Sequence, residues 1–275
     1  DLLDADGLRD ALWGVPLLFH VAGVNDTCPR DVPAMDRVNV DGTRAIVEAA
    51  ADAGVGRVVV TSSAATIGEA AGTIGAEHTA HTGDYLSPYA RSKHRAEEAA
   101  FATAADLGVD LVAVNPSSVQ GPGRAGGSAK LFLHAIRSER PWLYDTDLSV
   151  VDIADCTAGH VAAAERGRSG ERYLLSGATI KVSDAVAMVG EALGRPVRPR
   201  WISEGVLRTV GRPAARLVAR VRPDAGICPA LIDTLLHGHR FDASKSERDL
   251  GLEYRSIRNT LERTVSWFRA EGLVG

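Results

Sequence analysis

Four short apolar runs alternate with helical patterns, and that rhythm leaves few architectures open. The runs are Leu17-Leu18-Phe19-His20-Val21, Arg57-Val58-Val59-Val60-Thr61, Asp110-Leu111-Val112-Ala113-Val114 and Arg172-Tyr173-Leu174-Leu175. Continuous apolar character of this length predicts strands buried on both faces of a sheet. Between them, Gly42 to Ala53 predicts a helix stopped by Gly54. Ser87 to Leu107 predicts a second, opening beside Pro88 and stopping at Gly108. Strand–helix–strand order implies right-handed crossovers and a parallel sheet. After Pro116 the strand rhythm fades. A glycine-rich loop, Gly121 to Gly127, leads into shorter helices, and an amphipathic helix, Ile257 to Ala270, closes the chain. The expected fold is α/β, a doubly wound parallel sheet with a small C-terminal lobe. The sheet core is expected over residues 1–175, with 117–150 contributing partly to the substrate side, and the mainly helical lobe over 176–275.

Of 275 residues, 45% are hydrophobic and 24% charged, ample material for a core. A net charge of −4 argues against nucleic acid as a partner, which would need a basic stripe. Arginines do gather between Arg195 and Arg222. There, Gly205 to Val221 reads as an amphipathic helix with a solvated arginine face or, alternatively, a lid over the substrate. Cys28, Cys156 and Cys228 are widely spaced and odd in number, which predicts neither a disulfide framework nor a zinc site, and a cytoplasmic location. No run reaches membrane-spanning length, so no membrane partner is expected.

Three pieces carry chemistry. Tyr89-Ala90-Arg91-Ser92-Lys93 lies early in a predicted helix, where a spacing of four puts the phenol and the ammonium on one face. Acid–base work at neutral pH asks a tyrosine to titrate about three pH units below its free value, worth roughly 4 kcal/mol. A cation about 4 Å away at an effective dielectric near 20 supplies about that much. Thr61-Ser62-Ser63-Ala64 falls where an apolar strand ends, the edge that faces the ligand crevice in doubly wound sheets. A hydroxyl there can orient a substrate carbonyl toward the phenol. Asn39-Val40-Asp41-Gly42-Thr43 opens a helix, and Asn115-Pro116 leaves a strand in extended form.

Val38 to Thr43, Val59 to Ala64, Tyr89 to Lys93 and Val114 to Pro122, in this order, resemble the signature of extended short-chain dehydrogenase/reductases. Within them the chain is similar to dihydroflavonol-reductase-like enzymes and their NAD-dependent epimerase/dehydratase relatives. The resemblance implies a Rossmann-type core that binds NAD or NADP and a small-molecule substrate. It assigns Tyr89 to proton exchange with the substrate oxygen, and Lys93 to holding the ribose and lowering the phenol pKa. Ser63 would hydrogen-bond the reacting oxygen, with Asn39 completing the catalytic set. Cofactor contacts would come from Asp1, Leu2, Val21, Ala22, Gly23, Thr61, Ser62, Tyr89, Lys93, Asn115, Pro116 and Ser118. Substrate contacts would come from Asn25, Ala64, Tyr85 and Val119. A homodimer through a four-helix bundle of the two alanine-rich helices is also implied.

The family opens with a strand, a G-x-x-G-x-x-G turn and a helix that receives the pyrophosphate. Here Asp1-Leu2-Leu3-Asp4 resembles the end of the family's third strand, so about sixty residues carrying that turn are expected upstream. The residue that separates NAD from NADP would lie among them. Histidines pair at His78/His81 and at His237/His239, with no carboxylate at a sequence distance that closes a metal site, so no metal is expected. The reading is therefore an oxidoreductase acting on a carbonyl/alcohol pair. The alternatives are a nucleotide-sugar epimerase/dehydratase, for which Ile67-Gly68 replaces the sugar branch's usual Tyr-Gly, and a non-catalytic binding or regulatory protein on the same fold.

Overall fold

The valines of the second apolar run divide between two cores, and the molecule is organised around that division. The computed structural model describes residues 1–138 and 140–274. Its first half comprises helix α1 (Ala5–Leu12), strand β1 (Leu17–His20), α2 (Val32–Asp36), α3 (Gly42–Ala53), β2 (Arg57–Thr61), α4 (Pro88–Leu107) and β3 (Leu111–Pro116). Then follow β4 (Ser118–Gln120), α5 (Ala129–Arg137), β5 (Trp142–Leu143), β6 (Asp147–Asp152), α6 (Ile153–Arg166), β7 (Arg172–Leu175), β8 (Ala178–Lys181), α7 (Val182–Leu193) and β9 (Arg200–Trp201). The C-terminal helices are α8 (Glu204–Val206), α9 (Arg212–Val221), α10 (Pro229–His237), α11 (Ser244–Leu250) and α12 (Ile257–Ala270).

Val58 and Val60 of β2 pack with Ile46, Val47 and Ala50 of α3 and Ala100 and Ala104 of α4. Val59 faces the other way, with Val112, Val114 and Ala162 and Ala163 of α6. One strand thus feeds two hydrophobic layers, which is what its lack of alternation predicted. The sheet runs β1-β2-β3-β7, parallel throughout, from the four expected runs. Helix ends fall where the residues placed them: Gly54 and Gly108 each take a left-handed φ of 70°, and the Ser87 side chain caps α4 by accepting from Ala90 N. Arg57 locks the α6 side of the core, donating to Asp110 Oδ2 and to the terminal carbonyls of Ala164 and Gly167. No described helix is long and apolar enough to cross a membrane.

The structure departs from expectation in four places. Asn39 does not open a helix: α2 continues through a π-helical turn, Arg37–Asp41, straight into α3. A second sheet, β4-β6-β8, forms from segments on both sides of residue 175, and α5 packs with α7 and α12 around Phe132, Leu261 and Phe268. The stretch 204–221 is helical and its arginine face is solvated, but the face is apolar as well as basic: Val206, Val210, Leu217 and Val221 are all more than half exposed beside the arginines. Finally, Cys28 and Cys228 are joined in a disulfide across a separation of 200 residues, tying the loop after β1 to the residue before α10. Wide spacing in sequence says nothing about proximity in space, so the argument from cysteine pattern to a reducing compartment lapses. Cross-links over long loops stabilise by about 2–4 kcal/mol. Reductant, or a Cys28→Ser, Cys228→Ser pair, is expected to lower stability by that margin and the thermal midpoint with it. Superimposable melts with and without dithiothreitol would show that the bond does not form.

Candidate active site

Helix α4 sets Tyr89, Lys93 and Glu97 on one face at successive intervals of four. Lys93 is buried, and its Nζ donates to the Thr61 carbonyl at 2.7 Å, at the C-terminal end of β2. Ser63, two residues further, caps the short 3₁₀ turn Ala64–Thr66 by accepting from Ala65 N, and its side chain acts on the Tyr89 phenol by lowering its pKa. Serine, tyrosine and lysine therefore meet at the edge of the sheet where strand ends point.

The electrostatics differ from the sequence argument in one respect. Burial raises the Tyr89 pKa above 10, while the Ser63 hydrogen bond and the charge of Arg124 pull it down. The charge of Arg124 thus lowers the phenol pKa, while the Lys93 ammonium is engaged with the Thr61 carbonyl at the strand end. Burial lowers Lys93 from 10.5 to about 8, against the opposing pull of Glu97. The phenol holds its proton at neutral pH, as a donor must.

The other expected residues divide into those at the crevice and those behind it. Val21, Ala22, Gly23 and Asn25 are exposed beyond the end of β1. Gly23 is held by a clamp beneath it: Asn39 accepts from Val24 N at 2.7 Å, and donates to Val24 O at 3.0 Å and to Ser92 Oγ at 2.9 Å. A Cβ at Gly23 would lie 3.1 Å from Asn39 Oδ1. With its amide fully committed, Asn39 positions the β1 loop on α4. Thr61 turns its hydroxyl away, to His160 Nε2 at 2.8 Å. Asn115 is fully buried and donates to Glu97 Oε2 at 2.5 Å, Thr66 Oγ1 at 2.9 Å and the Ser63 carbonyl at 3.2 Å, so its side chain buttresses the Ser63 turn from behind. Pro116 and Ala64 are buried, Ser118 Oγ accepts from Gln120 Nε2, and Val119 packs on the core. Tyr85 is bound through its hydroxyl to His94 Nδ1 at 3.0 Å, with its ring against His81. Leu2 lies against Gly42, and Asp1 accepts from Leu3 N.

The dinucleotide implied by the resemblance finds matching groups for its nicotinamide half. Ser62 Oγ and Ser117 Oγ, at the ends of β2 and β3, are buried with no hydrogen-bond partner, and the Lys93 ammonium sits on the carbonyl of Thr61, the residue before Ser62. A polar ligand over these strand ends would satisfy atoms that otherwise carry a desolvation cost.

Two participants were not singled out in the sequence. Glu97 continues the Tyr89–Lys93 spacing by one more turn, a signal that was available. Arg124 sits in the glycine-rich loop, and only the folded chain brings it to the phenol. A third group, His20, accompanies them: its Nε2 is 3.0 Å from Thr43 Oγ1, and burial, then the Lys93 charge, lower its pKa from 6.5 to about 4. The native state therefore binds fewer protons than the unfolded chain between pH 4 and 6.5. Stability is complete above 6.5 and falls as pH drops through that window, by on the order of 3 kcal/mol in all. Denaturant titrations at pH 7 and 4.5 are expected to show this loss, and a His20→Gln variant to lack most of it.

Comparison with known proteins gives the family. Residues 1–138 match the model of the 3-beta hydroxysteroid dehydrogenase/isomerase family. A putative dihydroflavonol 4-reductase from Synechocystis is 33% identical over the whole chain and 82% of its own length. The crystal structure of gox2253 superposes with a TM-score of 0.84 at 29% identity, covering all of this chain and 84% of that one. A dTDP-glucose 4,6-dehydratase from Streptomyces venezuelae, solved with NAD, reaches 0.79 at 24% identity over the whole chain and 80% of its own, a likeness of fold. The chain belongs to the 3-beta hydroxysteroid dehydrogenase/isomerase family, within the NAD(P)-dependent extended short-chain dehydrogenase/reductases.

Proposed function

We infer that the crevice at the ends of β1, β2 and β3 reduces the carbonyl of a small, largely apolar molecule, or oxidises the corresponding alcohol. The observation that carries this reading is the buried Lys93 ammonium held on the Thr61 carbonyl at the strand edge, with Tyr89 one helical turn before it and Ser63 two residues beyond that carbonyl. Bound NAD or NADP supplies or takes the hydride. Lys93, Ser62 and the exposed Val21–Gly23 segment hold its nicotinamide half. Ser63 orients the substrate oxygen, and Tyr89 gives that oxygen its proton, or receives one in the reverse direction. Arg124 stabilises negative charge that develops at the phenol during transfer. Asn39, Asn115 and Glu97 keep these groups in place without touching the reactants.

The sugar-nucleotide alternative draws support from Arg124, a cation suited to a diphosphate. Against it, Ile67 is fully buried against Leu174 and offers the substrate nothing. Nicotinamide absorbance followed with panels of apolar ketones and of nucleotide sugars separates the two. Turnover confined to nucleotide sugars would overturn the reading, and intact full-length protein that never engages either dinucleotide would favour a non-catalytic role. The reading includes a homodimer through the outer faces of α3 and α4, checked by light scattering at twice the chain mass.

A further inference from the structure

Away from the crevice, three side chains from two distant segments converge on one point. Glu69, in the loop after the Ala64–Thr66 turn, is buried; His237 ends α10 and His239 follows two residues on. Gly238 between them has φ +65°, and a Cβ there would lie 2.7 Å from Thr146 Oγ1, so the reversal that turns both rings onto one carboxylate requires glycine. Glu69 Oε1 is 2.7 Å from His239 Nδ1 and 3.4 Å from His237 Nε2, and the three ligand atoms lie within 4.8 Å of one another. His237 Nε2 is buried without a hydrogen-bond partner. A lone buried nitrogen of that kind costs about 1–3 kcal/mol.

One carboxylate oxygen does not explain two imidazole nitrogens aimed at it, only one of which bonds. An ion between the three would. Tetrahedral zinc, with bonds of about 2.0–2.1 Å, sets its ligand atoms about 3.3–3.4 Å apart. The His237–Glu69 separation already has that length, and the His239–Glu69 pair would open by about 0.6 Å to reach it. The sequence offered no carboxylate for the His237/His239 pair; the fold supplies it from 168 positions upstream. We propose that Glu69, His237 and His239 bind a divalent transition ion, zinc by ligand chemistry, with water in the fourth position.

The ion has a structural task. The loop carrying Glu69 runs between Ser63 and Tyr85, and the histidines stand at the end of α10 in the C-terminal third of the chain. The same two segments already meet where Gly75 N donates to Arg240 O and Asp242 N donates to Gly75 O, both at 2.9 Å, with Phe241 stacked on His239. Metal at the junction would strap the Glu69 loop to the end of α10, independently of whether the crevice transfers hydride.

An untagged chain, stripped with chelator and dialysed, tests this by calorimetric titration with Zn(II) and by the visible spectrum with Co(II). One ion per chain is expected, with tetrahedral Co(II) bands and a raised thermal midpoint. His237→Ala and His239→Ala should each weaken binding by more than the roughly 10–100-fold that loss of an outer partner costs. A His78→Ala, His81→Ala pair should bind as wild type does. No uptake, full binding in His237→Ala, or loss confined to the His78/His81 pair would overturn the proposal. Should the alanine variants not fold, the imidazole resonances of the wild-type chain decide: those of His237 and His239 shift on addition of Zn(II), or the site is not there.

Discussion

Tyr89→Phe is expected to lower the turnover number by about 10²–10⁴, the range lost when a positioned proton donor is removed. Folding and dinucleotide affinity should stay close to wild type. Phenylalanine keeps the ring, which is half-buried on α4; only the hydroxyl on which Ser63 acts is lost. Since burial raises the phenol pKa, the wild-type group holds its proton at neutral pH and needs no prior ionisation to act as a donor. The cost should therefore fall on the chemical step. Single-turnover measurements should show a slow hydride step with an unchanged dissociation constant for the dinucleotide. A variant whose single-turnover rate stays within threefold of wild type would remove Tyr89 from the reaction and leave water at the site, oriented by Ser63, to supply the proton.

How much of this was written in the chain depends on the range of each interaction. Local rules held closely. Apolar runs at 57–61 and 172–175 are the strands β2 and β7, and the stops at Gly54 and Gly108 fall where a left-handed φ is needed. The Tyr89–Lys93 spacing placed both groups on one face because a helix repeats every 3.6 residues. Rules that need partners from afar failed. Strands of three to six residues at 118–120, 147–152 and 178–181 pair only with one another, and each alone is too short to show a period. Thr61 and Asn115 stand at the correct strand ends, but which way their side chains turn is decided by His160 and Glu97, contributed by helices. Arg124, the Cys28–Cys228 bond and the convergence on Glu69 are all long-range, and residue type alone does not announce them.

Glu97 is where the second large effect is expected, because it joins the site to the core. Its Oε2 accepts from Asn115 Nδ2 at 2.5 Å and from Thr66 Oγ1 at 3.3 Å, and its Oε1 pairs with Arg172 Nη1 at 3.0 Å. The carboxylate is 5% exposed and the guanidinium 22%. A buried pair of this kind adds little over an apolar replacement of both partners, but removing one leaves the other charge without compensation, at a cost of about 3–5 kcal/mol. Glu97→Ala should therefore reduce stability by that amount, read as a lower denaturant midpoint at constant slope. Glu97→Gln keeps the volume and an acceptor for Asn115 but not the charge, and should fall between. Activity should drop as well, since Asn115 and Thr66 lose what holds the Ser63 turn, and Lys93 loses the one charge that opposes its burial. Arg172→Met added to Glu97→Ala should restore part of the stability and little of the activity, as the ion pair and the Ser63 buttress are separate duties of one carboxylate. If Glu97→Ala unfolds within about 0.5 kcal/mol of wild type, as an ordinary surface change would, the carboxylate is not the keystone that its hydrogen bonds describe.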